Sequence, residues 1–327
     1  MQKRKNKPLV TLLVPVFNEE KAVGLFIETV EEKLQGQDFD FDYLFIDDGS
    51  SDDTLEILSE FSKKNHKIKV IVLSRNFGKE AAMTAGIDQA KGDALVPIDV
   101  DLQDPPEVII DFVKHWRSGY DVVYGQRSSR GAEGFVKRFS SQWFYRVFNF
   151  FSHMKIPEDV GDFRIIDRRV IEVIKRLPER NRFMKGLFAW AGFKSKAVPY
   201  VRPDRSAGET SWNYWRLWNF AIDGVVGFST SPLRVWSYFG FIISALAFAY
   251  GSFIVYRAFF SELDTPGYAS TMTVILFLGG IQLISIGILG EYIGRLFVEV
   301  KGRPVYIVDR LISEGDDKSP PLTLSDD

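Results

Sequence analysis

Two aspartates separated by one residue, Asp99 and Asp101, are the side chains of this sequence best suited to do chemistry. Residues two apart on a strand point to the same side, so both carboxylates can face one ligand. Close carboxylates repel each other unless a cation lies between them, and oxygen ligands suit Mg²⁺ or Mn²⁺. Gln103 can add a carbonyl oxygen. The pattern predicts a divalent-metal site with positions left for substrate phosphate oxygens, although Asp-x-Asp also occurs in turns and helix caps.

The segments around this pair predict an α/β domain. Near-continuous apolar runs alternate with amphipathic stretches, which is typical of βα units in a mainly parallel sheet with helices on both faces. The predicted strands are residues 9–16, 43–46, 68–73, 94–98 and 122–124, and the predicted helices are residues 20–34, 53–64, 79–90 and 107–117.

Polar residues follow every predicted strand. Ligands of such sheets bind beyond the carboxyl ends of the strands, so these residues are expected to meet at one site. They are Asn18 and Glu19, Asp47 and Asp48, Arg75 and Asn76, Asp99 and Asp101, and Gln126 and Arg127.

The composition excludes several functional classes. The 327 residues include no Cys, which excludes a disulfide scaffold, a thiolate zinc site and a thiol nucleophile. A hydrophobic fraction of 46% excludes a disordered chain. The formal net charge of −2 gives no support for a nucleic-acid partner, and none is expected.

Two long uncharged runs near the C-terminal end predict membrane-spanning helices. Residues 235–256 and 265–290 contain no charged side chain, and each run can cross a hydrocarbon core of about 30 Å. The connector carries Glu262 and Asp264, whereas Arg or Lys residues flank the outer ends, at Arg234, Arg295, Lys301 and Arg303. The positive-inside rule then predicts a multi-pass protein of the inner (plasma) membrane with a cytoplasmic soluble domain and cytoplasmic termini. A pair of helices buried in a soluble protein is the alternative.

The predicted organisation has four parts. Residues 1–210 form the cytoplasmic soluble domain, residues 211–232 an interfacial helix, residues 233–300 two membrane helices at about 235–257 and 270–291, and residues 301–327 a cytoplasmic tail.

Residues 135–151 combine aromatic and basic side chains at helical spacing, which suits either the membrane interface or core packing. Glycines in the second membrane helix allow close helix contact, including a homo-oligomer through these helices, at Gly279, Gly280, Gly287, Gly290 and Gly294.

Several motifs together resemble the family-two nucleotide-sugar glycosyltransferases. The similarity is greatest to their polyisoprenyl-phosphate branch, which includes dolichol-phosphate mannosyltransferases and bactoprenol glucosyltransferases. It covers nearly the whole chain and lies in residues 14–19 (VPVFNE), 47–50 (DDGS), 75–79 (RNFGK), 99–103 (DVDLQ), 124–127 (YGQR), 161–164 (GDFR) and 208–212 (GETSW). The resemblance implies a GT-A fold, which is Rossmann-like, with a C-terminal two-helix transmembrane hairpin.

The resemblance also implies the roles of individual residues. Phe17 stands where the family usually has tyrosine, which removes a hydroxyl and keeps a stacking face. Asp162 is the expected catalytic carboxylate, as a base or as an orienting group, together with Asp101; the alternative for Asp162 is a salt bridge to Arg164 or Arg168. The residues expected to bind the nucleotide sugar are Pro15, Phe17, Glu19, Asp47, Asp48, Lys79, Asp99, Arg127 and Arg205. The expected metal ligands are Asp99, Asp101 and Gln103. The residues expected to bind the lipid phosphate are Lys137, Arg138 and Arg164.

The implied reaction is inverting transfer of a sugar from a nucleotide sugar to a polyisoprenyl phosphate at the cytoplasmic membrane face, with Mg²⁺ or Mn²⁺ as cofactor. UDP-glucose is the favoured donor, and GDP-mannose, a UDP-N-acetylhexosamine and UDP-aminoarabinose are alternatives. The acceptor phosphate has a second pKa of about 6 and is therefore largely dianionic at neutral pH, so it needs no strong general base to deprotonate it. The Gln-x-x-Arg-Trp motif of processive synthases is absent. A membrane scaffold without catalysis remains the alternative from another class.

Overall fold

The computed structural model describes residues 7–128, 160–180, 182–201, 231–260, 267–313 and 316–318. The expectations for Lys137, Arg138 and Arg205 fall outside these residues, as do the expectations for the segment 135–151 and for residues 211–230.

Nine strands in the described residues form one sheet in the order β7-β5-β6-β4-β1-β2-β3-β8-β9. Strands β1, β2, β3 and β4 are parallel, and β5 is parallel to β7, whereas β6 and β8 run antiparallel to their neighbours. This confirms the predicted mainly parallel sheet. The strands are β1 Leu9–Val16, β2 Asp40–Asp47, β3 Ile68–Leu73, β4 Ala94–Pro97, β5 Val122–Arg127, β6 Val160–Asp167, β7 Ser195–Tyr200, β8 Val308–Ser313 and β9 Asp316–Lys318.

Helices connect the strands and cover both faces of the sheet. The four helices predicted between the first five strands form close to the predicted positions, as α1 Val23–Leu34, α2 Thr54–Lys64, α3 Lys79–Gln89 and α4 Val108–Arg117. The remaining helices are α5 Arg168–Lys175, α6 Met184–Trp190, α7 Ser231–Phe260 and α8 Tyr268–Lys301.

The core lies on both faces of the sheet. Successive β1 residues alternate between the faces, with Leu12 and Val14 in one cluster and Leu13 in the other. Helices α1, α2 and α4 pack on the first face, and α3, α5 and α6 pack on the second. Burial on both faces explains why these strands are near-continuous apolar runs in the sequence.

Helices α7 and α8 carry large apolar side chains that no other described residue covers. Phe241, Phe248 and Leu283 are each more than 70% exposed, and the apolar windows Val235–Phe253 and Thr273–Lys301 contain no buried residue. Both helices are long and apolar enough to cross a membrane. The alternative of two helices buried in a soluble domain is therefore wrong for the described residues. Trp236 Nε1 donates a hydrogen bond to Ser285 Oγ and joins the two helices.

The glycines of α8 make no close contact within the described chain. A Cβ built on Gly279, Gly280, Gly287, Gly290 or Gly294 meets nothing within 4 Å. Packing between α7 and α8 therefore does not require them. Pairing between copies of the chain stays a prediction.

The chain returns from α8 to the sheet, which the sequence analysis did not predict. Strand β8 pairs with the edge of β3, and Ile312 of β8 is only 7% exposed in the core. Tyr306 Oη donates to Asp88 Oδ2 at 3.0 Å just before this strand. The prediction of a tail from residue 301 is therefore wrong for residues 308–313. This strand was missed because a six-residue edge strand with one buried side chain has too weak a sequence pattern to be recognised.

Candidate active site

The turns after β1 and β2 are tied together at the carboxyl edge of the sheet. Asn18 has a left-handed backbone, with φ 56°, and its Oδ1 accepts from the Ser51 N–H at 2.8 Å. The Asn18 N–H donates to Ser50 Oγ at 3.0 Å, and the Glu19 N–H donates to Thr54 Oγ1 at 2.8 Å. These bonds fix the edge beside Phe17, which is 44% exposed.

Asp47 ends β2 with a fully buried side chain. Its Oδ1 accepts from the N–H and the hydroxyl of Ser50, whereas its Oδ2 has no hydrogen-bond partner among the described residues. Burial raises the pKa of Asp47. A buried oxygen without a donor costs free energy, which a hydrogen bond from a ligand would recover. The binding of the nucleotide sugar by Asp47 stays a prediction.

Asp48 holds the loop that follows β3. Its two oxygens accept from the N–H groups of Phe77 and Gly78 at 2.7 and 2.8 Å. Gly49 makes this approach possible, because it has φ 71° and a Cβ at its position would lie 2.6 Å from the Arg75 carbonyl carbon. The predicted contact of Asp48 with the nucleotide differs from these observed contacts, which position the backbone before Lys79.

Lys79, the first residue of α3, brings two strand ends together. Its Nζ lies 2.6 and 2.8 Å from the two oxygens of Asp99 at the end of β4, and 3.4 Å from Asp162 Oδ2 in β6. Burial opposes the charge of Lys79, but Asp99 and Asp162 raise its pKa above the ordinary value. A fixed positive charge therefore lies between the carboxylates predicted for the donor side and the acceptor side.

The charges around Asp162 favour its ionised form. Burial alone would raise its pKa, but Lys185, Lys79 and Arg164 together hold the pKa below the ordinary value of an aspartate. The ion pairs of Asp162 in the described structure are with Lys79 and with Lys185, whose Nζ lies 4.0 Å from Asp162 Oδ1. They replace the salt bridge to Arg164 or Arg168 that was considered as an alternative.

Arg164, which was expected at the lipid phosphate, lies in β6. The side chain lies within the core of the domain, with the residue only 5% exposed. Its Nη2 donates to the Gly161 carbonyl at 2.7 Å, and its guanidinium lies over the Phe188 ring at 4.7 Å. In the described structure the charge of Arg164 acts on Asp162, and its expected role at the acceptor phosphate stays a prediction.

The Asp99–Asp101 pair differs from its predicted arrangement. Strand β4 ends at Pro97, so both residues lie beyond the strand and strand alternation does not set their directions. Lys79 supplies a positive charge to Asp99, so this carboxylate has a cationic partner without a metal ion. Asp101 Oδ1 accepts from the Gln103 N–H at 3.2 Å across Leu102, which has φ 56°. A bulky residue in the left-handed region indicates a strained turn, which is typical of functional sites.

The metal prediction can be tested against these oxygen ligands. No group of three His, Asp or Glu side chains in the described parts of the chain could hold a metal ion by itself. The carboxylates of Asp99 and Asp101 and the amide of buried Gln103 are hard ligands that fit Mg²⁺ or Mn²⁺ when substrate phosphate and water complete the shell.

The remaining expected residues lie along the same edge. Pro15 is half-buried in β1, and Glu19 is half-buried in the turn that follows. Arg127 is the last residue of β5, and its charge acts on Tyr200. The Tyr200 hydroxyl donates to Asp104 Oδ1 at 2.6 Å. Burial and Asp104 raise the pKa of Tyr200 to about 12. Arg127 therefore lies beside Tyr200 of β7, and its contact with the nucleotide sugar stays a prediction.

Two residues of this site were not predicted from the sequence. Glu80 follows Lys79 and its Oε2 accepts from the Met184 N–H at 3.2 Å; burial and Asp162 raise its pKa to about 7. Lys185 follows Met184 and faces Asp162. Glu80 could have been recognised from the sequence because it directly follows Lys79 at the start of a predicted helix. Lys185 lies in a segment without any recognised motif.

Comparisons with known proteins agree with this architecture. The model of "Glycosyl transferase family 2" matches residues 11–175, and the "GtrB C-terminal hairpin" model matches residues 231–296. An uncharacterized glycosyltransferase of Synechocystis is 50% identical over 302 residues, which is 92% of this chain and 95% of that protein. A prophage bactoprenol glucosyl transferase homolog of Escherichia coli is 47% identical over 92% of this chain and 99% of its own length. The bactoprenol glucosyl transferase of Shigella phage SfII is also 47% identical, over 92% of this chain and 97% of its own length.

Proposed function

Because the chain belongs to glycosyl transferase family 2 and carries the GtrB C-terminal hairpin, we propose that it transfers glucose from UDP-glucose to a polyisoprenyl phosphate of the undecaprenyl (bactoprenyl) type, with inversion at the anomeric carbon. Near full-length identity of 47% to proteins named bactoprenol glucosyl transferases carries this proposal. The match includes both the sheet edge with its carboxylates and the apolar hairpin.

The position of Lys79 supports transfer between two substrates. One ammonium contacts Asp99, expected at the donor diphosphate, and Asp162, expected at the acceptor phosphate. Two substrates held a few ångströms apart react faster, because binding has already supplied their orientation. The lowered pKa of Asp162 makes it a weak base. We therefore assign Asp162 the orienting role, since the acceptor phosphate is already largely deprotonated.

Asp101, Gln103 and Asp99 would hold Mg²⁺ or Mn²⁺ together with the donor diphosphate. When bound, the cation neutralises negative charge on the departing diphosphate. Lys79 contributes a fixed charge that needs no metal. Asp47 would accept a hydrogen bond from the nucleotide at its unpaired buried Oδ2, and the exposed ring of Phe17 would stack on the base.

The protein is membrane-associated, and we propose that it is multi-pass in the plasma membrane with its catalytic domain and both termini cytoplasmic. Strand β7 precedes the hairpin and β8 follows it in the same sheet, so both outer ends of the hairpin attach to one soluble body. A hairpin anchored in this way crosses the membrane twice. Because the acceptor headgroup lies at the same surface, the anchor raises its effective concentration.

The topology is tested by reporter fusions at Glu262 and after Asp327. We expect a periplasmic or extracellular reporter signal at Glu262 and a cytoplasmic signal at the C-terminus. A cytoplasmic signal at Glu262 would refute the two-span topology without affecting the chemistry.

The reaction is tested by incubating the purified full chain with undecaprenyl phosphate, MgCl₂ or MnCl₂, and radiolabelled UDP-glucose. We expect a labelled lipid that forms only with the divalent cation. GDP-mannose, UDP-N-acetylglucosamine and UDP-aminoarabinose serve as parallel donors, and preference for one of them would replace glucose. Absence of transfer and of nucleotide-sugar binding with every donor would favour the scaffold alternative.

A further inference from the structure

The acceptor of the proposed reaction creates an electrostatic problem at Asp162. A phosphate monoester carries almost two negative charges at neutral pH, and the ionised carboxylate of Asp162 repels it. A cation beside Asp162 must offset this repulsion. Three described cations act on Asp162: Lys79, Arg164 and Lys185.

Two of these three cations are already engaged. Lys79 contacts both oxygens of Asp99 within 2.8 Å. Arg164 is only 5% exposed, and it contacts the Gly161 carbonyl and the Phe188 ring. Lys79 is 44% exposed, but its two shortest contacts commit its ammonium to Asp99 on the donor side.

Lys185 has the geometry that such a phosphate requires. Its side chain is 25% exposed, and its Nζ lies 4.0 Å from Asp162 Oδ1. This distance is short enough for an ion pair and too long for a hydrogen bond. Since an ammonium has three donors, Lys185 can donate to a second anion while it stays beside Asp162.

Glu80 fixes the segment that carries Lys185. Its carboxylate accepts from the Met184 N–H, and Met184 and Leu187 are each 1% exposed in the core. Glu80 also directly follows Lys79. One dipeptide at the start of α3 therefore positions two ammonium groups on the two sides of Asp162.

We propose that Lys185 binds the phosphate of the lipid acceptor beside Asp162, and that Glu80 is the positioning residue for Lys185. This inference rests on the proposed function. It assigns the acceptor phosphate to a site in the soluble domain, at the junction of α3, β6 and α6.

The test compares Lys185→Gln, Lys185→Arg and the control Lys196→Gln, which removes an exposed charge from the edge strand β7. Initial rates are measured with undecaprenyl phosphate varied in detergent micelles at saturating UDP-glucose, and then with the donor varied. For Lys185→Gln we expect the acceptor KM to rise about tenfold or more, because a charge-assisted hydrogen bond is lost, and the donor KM to change less than about twofold. Lys185→Arg should keep most of the acceptor affinity, and Lys196→Gln all of it.

A second measurement separates phosphate recognition from recognition of the lipid chain. Inorganic phosphate should inhibit the unmodified protein competitively with the acceptor and should inhibit Lys185→Gln much more weakly, whereas undecaprenol should inhibit both proteins equally. If Lys185→Gln does not fold, Lys185→Met is used in its place, because methionine keeps the aliphatic stem and removes the charge. An unchanged acceptor KM, or equal rises in the acceptor and donor KM, overturns the assignment.

The positioning role of Glu80 has its own readout. Glu80→Ala should raise the acceptor KM without changing the donor KM, and Glu80→Gln, which keeps an oxygen that accepts from the Met184 N–H, should restore it. Equal effects of the two substitutions overturn the positioning role. Failure of the unmodified protein to glycosylate the lipid contradicts the proposed function instead, so the two failures are distinguishable.

Discussion

The ammonium of Lys79 lies within 2.8 Å of both carboxylate oxygens of Asp99, a residue 20 positions further along the chain. The same ammonium is 3.4 Å from Asp162. Since α3 begins at Lys79 and the Asp48 carboxylate fixes the two N–H groups before it, the position of this charge is set by the fold. The contact joins the donor and acceptor sides of the proposed reaction.

Removing this charge should separate the two carboxylates. For Lys79→Met we expect kcat to fall about 10²-fold or more, because Asp99 and Asp162 would lose the one cation in the described structure that contacts both of them and a fixed electrostatic contact would be lost. Initial rates with both substrates saturating measure the effect. Lys91→Met, an exposed position just beyond the other end of α3, is the matched control and should keep full activity. Near-normal kcat in Lys79→Met would show that the contact has no catalytic role.

The carboxylates at the end of β4 should be required for divalent-dependent transfer. We expect Asp99→Ala and Asp101→Ala each to lower the rate by about 10²–10³-fold, because each removes an oxygen ligand or a charge at the diphosphate. The measurement is labelled-sugar transfer in membranes with added MgCl₂ or EDTA. Both variants should still insert into the membrane, since neither residue contacts α7 or α8. Full activity of either variant in EDTA would end the metal assignment.

The buried carboxyl of Glu80 should make stability depend on pH. Its pKa is about 7 in the folded chain and about 4.3 in the unfolded chain. The folded state therefore binds more protons between these values, and the free energy of unfolding should decrease as pH rises from about 4.5 to 7. Glu80→Gln, which cannot ionise, should lose this part of the decrease. Thermal unfolding of both proteins in detergent at several pH values measures it, and identical pH slopes would contradict the assignment.

The strand that returns from the membrane should stabilise the soluble domain. We expect Ile312→Ala to lower the free energy of unfolding by about 2 kcal/mol, because the substitution leaves a cavity between β8 and the core. The exposed neighbour Asp309 provides the control, and Asp309→Ala should change the free energy by less than about 0.5 kcal/mol. Denaturant unfolding followed by tryptophan fluorescence compares them. Equal stability of the two variants would show that β8 does not contribute to the fold.

The first five strands, the first four helices and the apolar hairpin could be predicted from the sequence, whereas β6, β7, β8 and β9 were not predicted. Burial on both faces of a parallel sheet requires continuous apolar runs, and a membrane helix requires a long uncharged run. Both patterns are local, so they can be recognised from neighbouring residues. The polar strand ends followed from the same pattern, because parallel strands end at one edge. Asp47 accordingly lies at the end of β2 and Asp99 just beyond the end of β4, whereas Asp162 near the start of β6 was expected only from the family resemblance.

The roles of Lys79, Arg164 and Lys185 were decided by the tertiary structure. Whether an arginine meets solvent or is enclosed depends on residues from distant elements, and Arg164 is covered by Phe188, which no local pattern relates to it. Lys185 lies 4.0 Å from Asp162 across elements that are distant in sequence, and the backbone N–H beside it donates to Glu80. The sequence by itself determined which residues end the strands, since periodicity is local. Only the packed chain decided which charges face each other, since Coulomb energy depends on distance in space and not on separation along the chain.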